Sequence, residues 1–280
     1  MMVSNVMETN LITVNIDDRI GKAQKLMKDN RIGCLPVLNA DKRLVGIITT
    51  WDAMMSHPGK IVADVMTTPV ISVNPYTSIW EAKELMEKNN IERLLVLEND
   101  QLIGLVTKTR LFSEVTKHYD ILTQLYRIDY LIYQGARLLE KGVEISVIFM
   151  DLDEFGNIDK KYGHMFGDYI LKELGSLLKK SVPGDCFLCR YGGDEFVVLT
   201  PYGKAQCMEL AKKLLAIISE QLYGADKVSI TASAGIAGVR CSPGRPCHEY
   251  VDDMKKLLNH ASLASTKAKS DGKPIEMADE

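Results

Sequence analysis

Residues 1–116 contain an internal duplication, and this constrains the fold more than any other feature of the chain. The stretch Val6–Val14 recurs as Val65–Val73, an offset of 59 residues. After a shorter turn the offset falls to 58, so that Leu44–Thr49 recurs as Leu102–Thr107. Register that is kept on both sides of a single deletion indicates a true repeat, because a chance similarity would lose it.

Each repeat is predicted to contain an extended segment, an amphipathic helix, two strands around a turn, and a short helix. The helices are predicted at Ile20–Asp29 and Ile79–Asn89. A unit of this length is too small to be a stable domain alone. We therefore expect the two units, about 1–60 and 61–116, to pack against each other.

The pattern Gly-apolar-apolar-Thr-x-x-Asp closes the first repeat, from Gly46 through Thr49 to Asp52. The second repeat matches it from Gly104 to Thr107, but Arg110 replaces the acid. With the duplication, this pattern resembles a tandem pair of CBS domains, a regulatory module that commonly binds an adenine nucleotide between its halves.

The CBS resemblance assigns Thr49 to phosphate and Asp52 to the ribose hydroxyls, since a carboxylate accepts hydrogen bonds from a diol. Thr13 and Thr107 are assigned to the same regulatory nucleotide site. Arg110 cannot accept a hydrogen bond, so we expect it to contact phosphate instead. The alternative is a ligand-free dimerisation scaffold in which Thr49 and Asp52 merely cap a helix.

Residues Ser113–Leu139 are predicted to form one helix, because they carry an apolar stripe and lack Gly and Pro until Gly135. Such a connector would be stiff enough to transmit a rotation between domains. A core-facing helix of the next domain would show a similar stripe. We assign 117–139 to this connector together with the first helix of that domain.

The segment Arg190–Phe196 reads Arg-Tyr-Gly-Gly-Asp-Glu-Phe between two apolar stretches and is predicted to be the turn of a β-hairpin. Gly192 and Gly193 allow an anion to approach the backbone. The carboxylates of Asp194 and Glu195 at the tip suit a divalent cation held against phosphate oxygens.

A predicted buried strand, Ile145–Met150, is followed at once by Asp151, Leu152 and Asp153. An acid at the end of such a strand suits metal ligation, and we expect the hairpin to bring Asp194 beside Asp151.

Residues 120–275 resemble the GGDEF domain of diguanylate cyclases. Besides the hairpin and the Asp151 strand, three blocks carry the match: an eroded first block at Asp120–Arg127, Tyr162–Asp168 at a helix start, and Ala268–Lys273. The family's product-inhibition motif would fall on 183–186 and is missing. Ile230–Ala237 is similar to the family's small-residue strand, where bulk would crowd the nucleotide.

The resemblance implies that Asp159 and Asp168 contact the guanine base, and that Lys269 and Lys273 contact the triphosphate. Four residues apart on a helix end, the two lysines could reach one anion. The chain departs from the family at two positions. It has Asp159 where the family has Asn, and Gly156 where the family has Lys. A carboxylate cannot donate to guanine N3, and one cation is lost from the phosphate pocket.

We therefore expect an α/β (α+β) chain in which a CBS pair precedes a palm-like cyclase domain. It would convert two GTP into cyclic di-GMP and two pyrophosphates. Asp151, Asp194 and the Leu152 carbonyl would hold Mg²⁺ or Mn²⁺, while Glu195 holds a second ion or deprotonates the attacking 3′-hydroxyl. Gly192 and Gly193 complete the catalytic turn. Each domain would hold one GTP, so a homodimer is required.

Two alternatives stay open. The departures at Gly156, Asp159 and the first block favour a degenerate domain that senses GTP or binds a partner protein. Asp159 alone favours a cyclase that uses another purine.

Composition excludes several other classes of function. The formal charge of −3 gives no reason to expect nucleic acid or anionic lipid as a partner. The N-terminus lacks a secretion signal, and 6 cysteines are too few for a disulfide scaffold, so we expect a reducing cytoplasm. Cys186 and Cys189 are interpreted as buried or edge thiols rather than as metal ligands.

Overall fold

The computed structural model describes residues 1–240 and 243–278. The chain divides into two compact units, Met1–Lys117 and His118–Glu280.

The N-terminal unit uses one order of elements twice. The first repeat contains β1 (Val14–Asn15), α1 (Ile20–Asn30), β2 (Cys34–Leu38), β3 (Leu44–Thr49) and α2 (Thr50–Met54). The second contains β4 (Ser72–Val73), α3 (Ile79–Lys88), β5 (Arg93–Glu98), β6 (Gln101–Thr107) and α4 (Lys108–Thr116). Each repeat forms a three-stranded sheet whose first pair is parallel and whose hairpin is antiparallel. The predicted helix, hairpin and short helix are confirmed in both repeats.

The repeats exchange their opening segments. Glu8, which precedes β1 in the first repeat, pairs with Leu105 of β6 through reciprocal backbone hydrogen bonds of 2.8 and 3.0 Å. Thr67, which precedes β4 in the second repeat, pairs in the same way with Ile47 of β3. Side chains follow this exchange.

Met7 lies against Gly104, and Met66 lies against Gly46. A Cβ at either glycine would collide with the methionine. The glycine of the repeated pattern is therefore explained by a contact between repeats, and this contact makes the pair one unit.

The C-terminal unit is a three-layer α/β structure. Its elements are α5 (Ile128–Glu140), β7 (Ile145–Leu152), α6 (Phe155–Tyr162), α7 (His164–Ser181), β8 (Phe187–Gly192), β9 (Glu195–Thr200), α8 (Lys204–Glu220), β10 (Leu222–Tyr223), β11 (Val228–Ser229), β12 (Ala232–Val239), α9 (Cys247–Ser270) and β13 (Ile275–Met277). The main sheet has the order β13-β12-β7-β9-β8, and the strands from β12 to β8 pair antiparallel.

Strand β7 is buried on both faces of the sheet. Ile148 and Met150 face a core that includes α7 and α8, whereas Val147 and Phe149 face a core that includes α5 and α9. Because side chains alternate along a strand, the side chain of Asp151, near the end of β7, lies on the same face as Val147 and Phe149. Helix α9 packs on that face, so α9 is the helix that can contact Asp151.

Helix α9 packs closely on β12 because the strand carries a glycine at the crossing. A Cβ on Gly235 would overlap the backbone of Ala261 and Ser265 in α9. The Ser265 hydroxyl donates to the Ser233 carbonyl across the same contact, at 3.3 Å. The small residue at position 235 thus serves helix packing.

The prediction of one helix over Ser113–Leu139 is wrong. Helix α4 ends at Thr116 and α5 begins at Ile128. Between them the Asp120 carboxylate accepts from the Thr123 amide at 2.8 Å, and Gln124 adopts a left-handed conformation with φ of 57°. Local hydrogen bonds of this kind compete with the helix ladder even where Gly and Pro are absent. A stiff helical connector does not exist in this chain.

Two further observations concern the class of protein. In the parts of the chain that the structure describes, no helix is long and apolar enough to cross a membrane. Cys186 and Cys189 are 9% and 0% exposed, which confirms their interpretation as buried thiols.

Candidate active site

The predicted hairpin turn joins β8 to β9, with Gly193 and Asp194 at its tip. Gly192 pairs with Glu195, and Gly193 has a φ of 47°. Glycine adopts such a φ without steric cost, so it suits this position of the turn. No atom lies within 4 Å of where a Cβ on Gly193 would stand, which leaves the backbone there open to a ligand.

Three carboxylates gather where β7 meets this turn. Asp151 pairs with Glu195 across the sheet, and the Leu152 amide lies 3.4 Å from the Asp194 carbonyl oxygen. Burial, followed by the charge of Asp151, raises the pKa of Asp194 above its ordinary value. Burial and the charges of Asp151 and Asp194 raise the pKa of Glu195 in the same way. The acids repel one another, and a cation would relieve the repulsion.

Lys269 supplies that cation from the last turn of α9. Its Nζ donates to Asp151 Oδ1 at 2.7 Å and to the Leu152 carbonyl at 3.0 Å. Burial alone would lower the pKa of Lys269, but the hydrogen bond and charge of Asp151 outweigh it, and the pKa is raised. Ala261, Ser265 and Lys269 are spaced four residues apart on α9, so the face that packs on β12 also delivers the lysine.

The donor set fits a hard divalent cation. Lys269 Nζ stands where a carboxylate oxygen and a carbonyl oxygen converge, so an ammonium takes the position that a metal ion would share. Among residues 1–240 and 243–278, no three acidic, His or Cys side chains form a group that could hold a metal ion. Mg²⁺ is usually bound by one or two carboxylates with substrate phosphates and water, so a smaller protein set is sufficient.

Asp153 does not share the position of Asp151. Its carboxylate accepts from the hydroxyls of Thr231 and Ser233 at 2.7 and 2.8 Å, and its amide donates to the Thr231 carbonyl at 2.9 Å. These bonds fix the end of β7 against the start of β12. In the sequence Asp151 and Asp153 look alike, but the structure separates a site acid from a positioning acid.

A second network holds the motif turn and was not predicted from the sequence. Arg190 donates to the Gly193 carbonyl through Nε at 2.9 Å and to Asp120 Oδ1 at 2.9 Å. Asp120 also accepts from the amide and hydroxyl of Thr123. The surviving Asp and Thr of the eroded first block are the signal that could have located this contact.

We expect Asp120→Asn to lower the stability of the C-terminal unit by roughly 1–3 kcal/mol at pH 7, since it weakens charged hydrogen bonds in a site where Asp120 is only 17% exposed. Burial would raise the pKa of Asp120, but Thr123 and Arg190 lower it below its ordinary value. The stabilisation is therefore complete above the unfolded-state pKa, near 4, and is lost as pH falls through the folded-state value. Urea unfolding followed by circular dichroism should show a difference between variant and parent that shrinks from pH 6 towards pH 3. A difference independent of pH would contradict this account.

Asp159 and Asp168 lie on adjacent helices, α6 and α7. Asp159 Oδ2 pairs with His164 Nδ1 at 3.0 Å, whereas its buried Oδ1 has no hydrogen-bond partner among the described residues. That oxygen lies over Gly167, where a Cβ would collide with it. Asp168 follows Gly167 and is exposed. Asp159 Oδ2 and the exposed carboxylate of Asp168 are acceptors that suit the N–H donors of a purine.

Lys273 does not join Lys269. Helix α9 ends at Ser270, and Gly272 turns the chain with a φ of 67°. Lys273 Nζ then lies 3.4 Å from Asp271 and 3.3 Å from Glu276. The prediction that Lys269 and Lys273 lie on one helix and reach the same anion is therefore wrong, because α9 ends before Lys273.

The residues that the sequence predicts for nucleotide binding differ, between the two repeats, in what they contact. Thr49 caps α2: the Asp52 carboxylate accepts from the Thr49 amide and hydroxyl at 2.9 and 2.6 Å. Thr107 caps α4, and Arg110 pairs with Glu8 at 3.2 Å. Thr13 lies just before β1.

A cavity of about 350 Å³ opens between the repeats beside Thr107 and Arg110. Its lining combines cationic side chains, Arg31, Arg93 and Arg110, with apolar ones such as Ile12 and Leu105. Thr13, Thr49 and Asp52 do not line it. This cavity therefore lies beside the Thr107 and Arg110 of the repeat that departs from the sequence pattern.

Comparison with known families gives two assignments. The family described as "Diguanylate cyclase, GGDEF domain" matches residues 117–274, which is more than half of the chain. The family described as "CBS domain" matches twice, at 3–57 and 62–117.

Individual relatives agree with these matches. The chain is 27% identical over 195 residues to diguanylate cyclase A of Treponema denticola, covering 67% of this chain and 49% of that protein. It is 38% identical over 104 residues to an inosine-5′-monophosphate dehydrogenase of Korarchaeum cryptofilum, covering 36% of this chain and 22% of that enzyme. The chain thus spans about half the length, or less, of these curated relatives.

A solved structure supports the fold of the C-terminal unit. The coiled coil and GGDEF domain of DgcB from Caulobacter crescentus, in complex with c-di-GMP, aligns with a TM-score of 0.51 at 20% identity, over 60% of this chain and 88% of that one. The chain therefore belongs to the diguanylate cyclase GGDEF-domain family, and in it a tandem pair of CBS domains precedes the GGDEF domain.

Proposed function

We propose that the chain is a diguanylate cyclase that joins two GTP molecules into cyclic di-GMP and releases two pyrophosphates. One observation carries the proposal: the carboxylates of Asp151, Asp194 and Glu195 lie near one another at one end of the sheet, where Lys269 bonds to Asp151 and to the Leu152 carbonyl. A domain released from catalysis would have no need of mutually repelling acids at this place.

Asp151, the Leu152 carbonyl and Asp194 would hold Mg²⁺ or Mn²⁺, which when bound supplies positive charge against the triphosphate. Glu195, with its raised pKa, is suited to accept the proton of a 3′-hydroxyl. The 3′-oxygen then forms a bond to the α-phosphorus of the other GTP, and the bond to the β-phosphate breaks to release pyrophosphate. Lys269 offsets the charge that builds on that leaving group.

Three further residue groups complete the proposed substrate site. Gly192 and Gly193 give phosphate close access to the backbone. Asp168, and Asp159 through the Oδ2 that pairs with His164, would accept from the N–H groups of guanine. Lys273 would contribute only after leaving its pairs with Asp271 and Glu276.

The test is to incubate the purified chain with GTP, ATP or both in Mg²⁺ and to identify the products by mass spectrometry. Cyclic di-GMP from GTP supports the proposal, and Asp151→Asn serves as the inactive control. A mixed or adenine dinucleotide would instead assign Asp159 to a different base specificity.

A second candidate function is a non-catalytic GTP sensor. It is favoured by Gly156, where the family has Lys, by Asp159, where the family has Asn, and by the eroded first block at Asp120–Arg127. Calorimetric binding of GTP with no dinucleotide product would support this sensor and reject the cyclase.

We propose further that the CBS pair binds an adenine nucleotide and that binding changes the activity of the cyclase. The site is the cavity beside Arg110, whose guanidinium, with those of Arg31 and Arg93, would hold the phosphates. Calorimetric titration with ATP, ADP and AMP should show an affinity about tenfold or more weaker for Arg110→Ala, since a charged hydrogen bond to phosphate is lost. Asp52→Ala is the matched comparison. If it alone abolishes binding, the ligand lies in the cleft of the first repeat instead.

A further inference from the structure

Lys269 contacts two of the groups that the proposed function assigns to a metal ion. Its ammonium donates to Asp151 Oδ1 at 2.7 Å and to the Leu152 carbonyl oxygen at 3.0 Å. Carboxylate and carbonyl oxygens are the ligands that Mg²⁺ and Mn²⁺ prefer. An ammonium bonded to both oxygens repels a divalent cation that approaches them, since the two like charges would share the same ligands. Lys269 and the metal ion therefore compete.

The second cation that acts on the site acids serves a different purpose. Burial raises the pKa of Asp194, and the charges of Lys269 and Arg190 both counteract this. Arg190, however, donates to the Gly193 carbonyl and to Asp120, at 2.9 Å in each case, and so holds the turn. Among the residues that the structure describes, Lys269 is thus the cation that bonds directly to a site acid.

The position of Lys269 in the chain allows its ammonium to move. The residue lies one position before the end of α9, and its side chain is 39% exposed. Its ammonium is carried on a flexible four-carbon stem. The backbone at Gly193 is open, because no atom lies within 4 Å of where a Cβ would stand. A triphosphate at this turn would offer the ammonium more negative charge than one carboxylate does, and Asp151 would be released.

We propose that Lys269 makes metal binding depend on the nucleotide, so that the site takes up the divalent cation together with a nucleoside triphosphate and not before it. The ammonium opposes a lone metal ion at Asp151 and at the Leu152 carbonyl. The triphosphate draws the ammonium away and adds negative charge of its own. Because such coupling is reciprocal, the metal also strengthens triphosphate binding. The inference rests on the proposed function, which assigns the metal to Asp151.

The test is calorimetric titration of the full chain and of Lys269→Met, which keeps a long side chain and removes its charge. Mn²⁺ alone should bind the variant about tenfold or more tightly than the parent, because no charged hydrogen bond has to be broken. The second ligand is the Mg²⁺ complex of a GTP analogue with a methylene bridge between the α- and β-phosphates. This bridge prevents turnover. The complex should bind the variant about tenfold or more weakly, because the phosphates lose a cation.

Lys267→Met is the matched control. Lys267 lies on the same helix and also forms an ion pair, but its partner is Glu276, at 2.6 Å, and not a site acid. Both titrations of this variant should agree with those of the parent chain. Circular dichroism verifies that both variants are folded.

Shifts of opposite sign for the two ligands distinguish this proposal from a purely structural role of Lys269, which would weaken the binding of both. The proposal is overturned if Lys269→Met binds Mn²⁺ no more tightly than the parent, including the case in which neither binds it at millimolar concentration. It is also overturned if the variant binds the analogue complex as well as the parent does.

The product assay for the proposed function is a separate measurement. A chain that forms no cyclic di-GMP can still show the two opposite shifts in binding. A chain that forms cyclic di-GMP can equally fail to show them. The failure of one proposal is therefore distinguishable from the failure of the other.

Discussion

Asp194→Asn is expected to raise the melting temperature of the metal-free protein while lowering cyclic dinucleotide formation by about 100-fold or more. The pKa of Asp194 is raised by burial and by the charge of Asp151. An acid whose pKa is higher in the folded state is more costly to keep ionised there than in the unfolded chain. At neutral pH the native carboxylate therefore destabilises the fold, and an amide of the same shape removes that cost. The loss of activity follows from the loss of a charged metal ligand.

The sign of the pH dependence provides a check on this prediction. The stability gain of Asp194→Asn should be largest above the raised pKa of Asp194 and should vanish as pH falls below the unfolded-state value, near 4. Mg²⁺ with GTP should stabilise the parent chain more than the variant. Asp226→Asn, at an exposed turn, is the matched control and should change neither property. A variant that melts lower than its parent would show that the acids are not in conflict.

Gly235→Ala is expected to destabilise the C-terminal unit by about 3 kcal/mol or more, although it adds a single methyl group. That methyl group would overlap the carbonyl oxygen of Ala261 and the amide of Ser265. Both atoms belong to the α9 backbone, so no side chain can rotate away, and the helix must move off the sheet. Lys269 is carried by the same helix and would lose its position beside Asp151.

A matched control lies in the same unit. Gly156, in α6, has no atom within 4 Å of where a Cβ would stand, so Gly156→Ala should stabilise the helix by about 0.5–1 kcal/mol. Urea unfolding of both variants measures the contrast. If Gly235→Ala were as stable as its parent, the close contact between α9 and β12 would not be the reason for this glycine.

The sequence was most informative where periodicity or a tight turn left little choice. The offset of 59 predicts the paired repeats, and the Gly-Gly pair with its two acids predicts the hairpin that places Asp194 next to Asp151. The elements within each repeat and the turn of the hairpin depend on residues close in the chain. The contact of Lys269 with Asp151 joins residues 118 positions apart, and only the packing of α9 on β12 creates it.

The two incorrect predictions share one cause. Each assumed that a helix continues for as long as the helical spacing of its side chains does. The apolar stripe predicted one helix over 113–139, but the turn at Asp120 interrupts it. The spacing of Lys269 and Lys273 predicted that both lie on one helix, but α9 ends between them. In both places a side chain or a glycine satisfies backbone groups locally, which periodicity does not detect. Asp52 illustrates a related limit: its place in the pattern is the same whether it binds a ligand or caps a helix.

The exchange of opening segments makes each half of the N-terminal unit depend on the other for its packing. Met7 of the first half packs against Gly104 of the second, and Met66 of the second half packs against Gly46 of the first. Local melting of either half must strip a supporting segment from its twin, so the two melt together. A molecule that stabilised one half would therefore stabilise the other half as well.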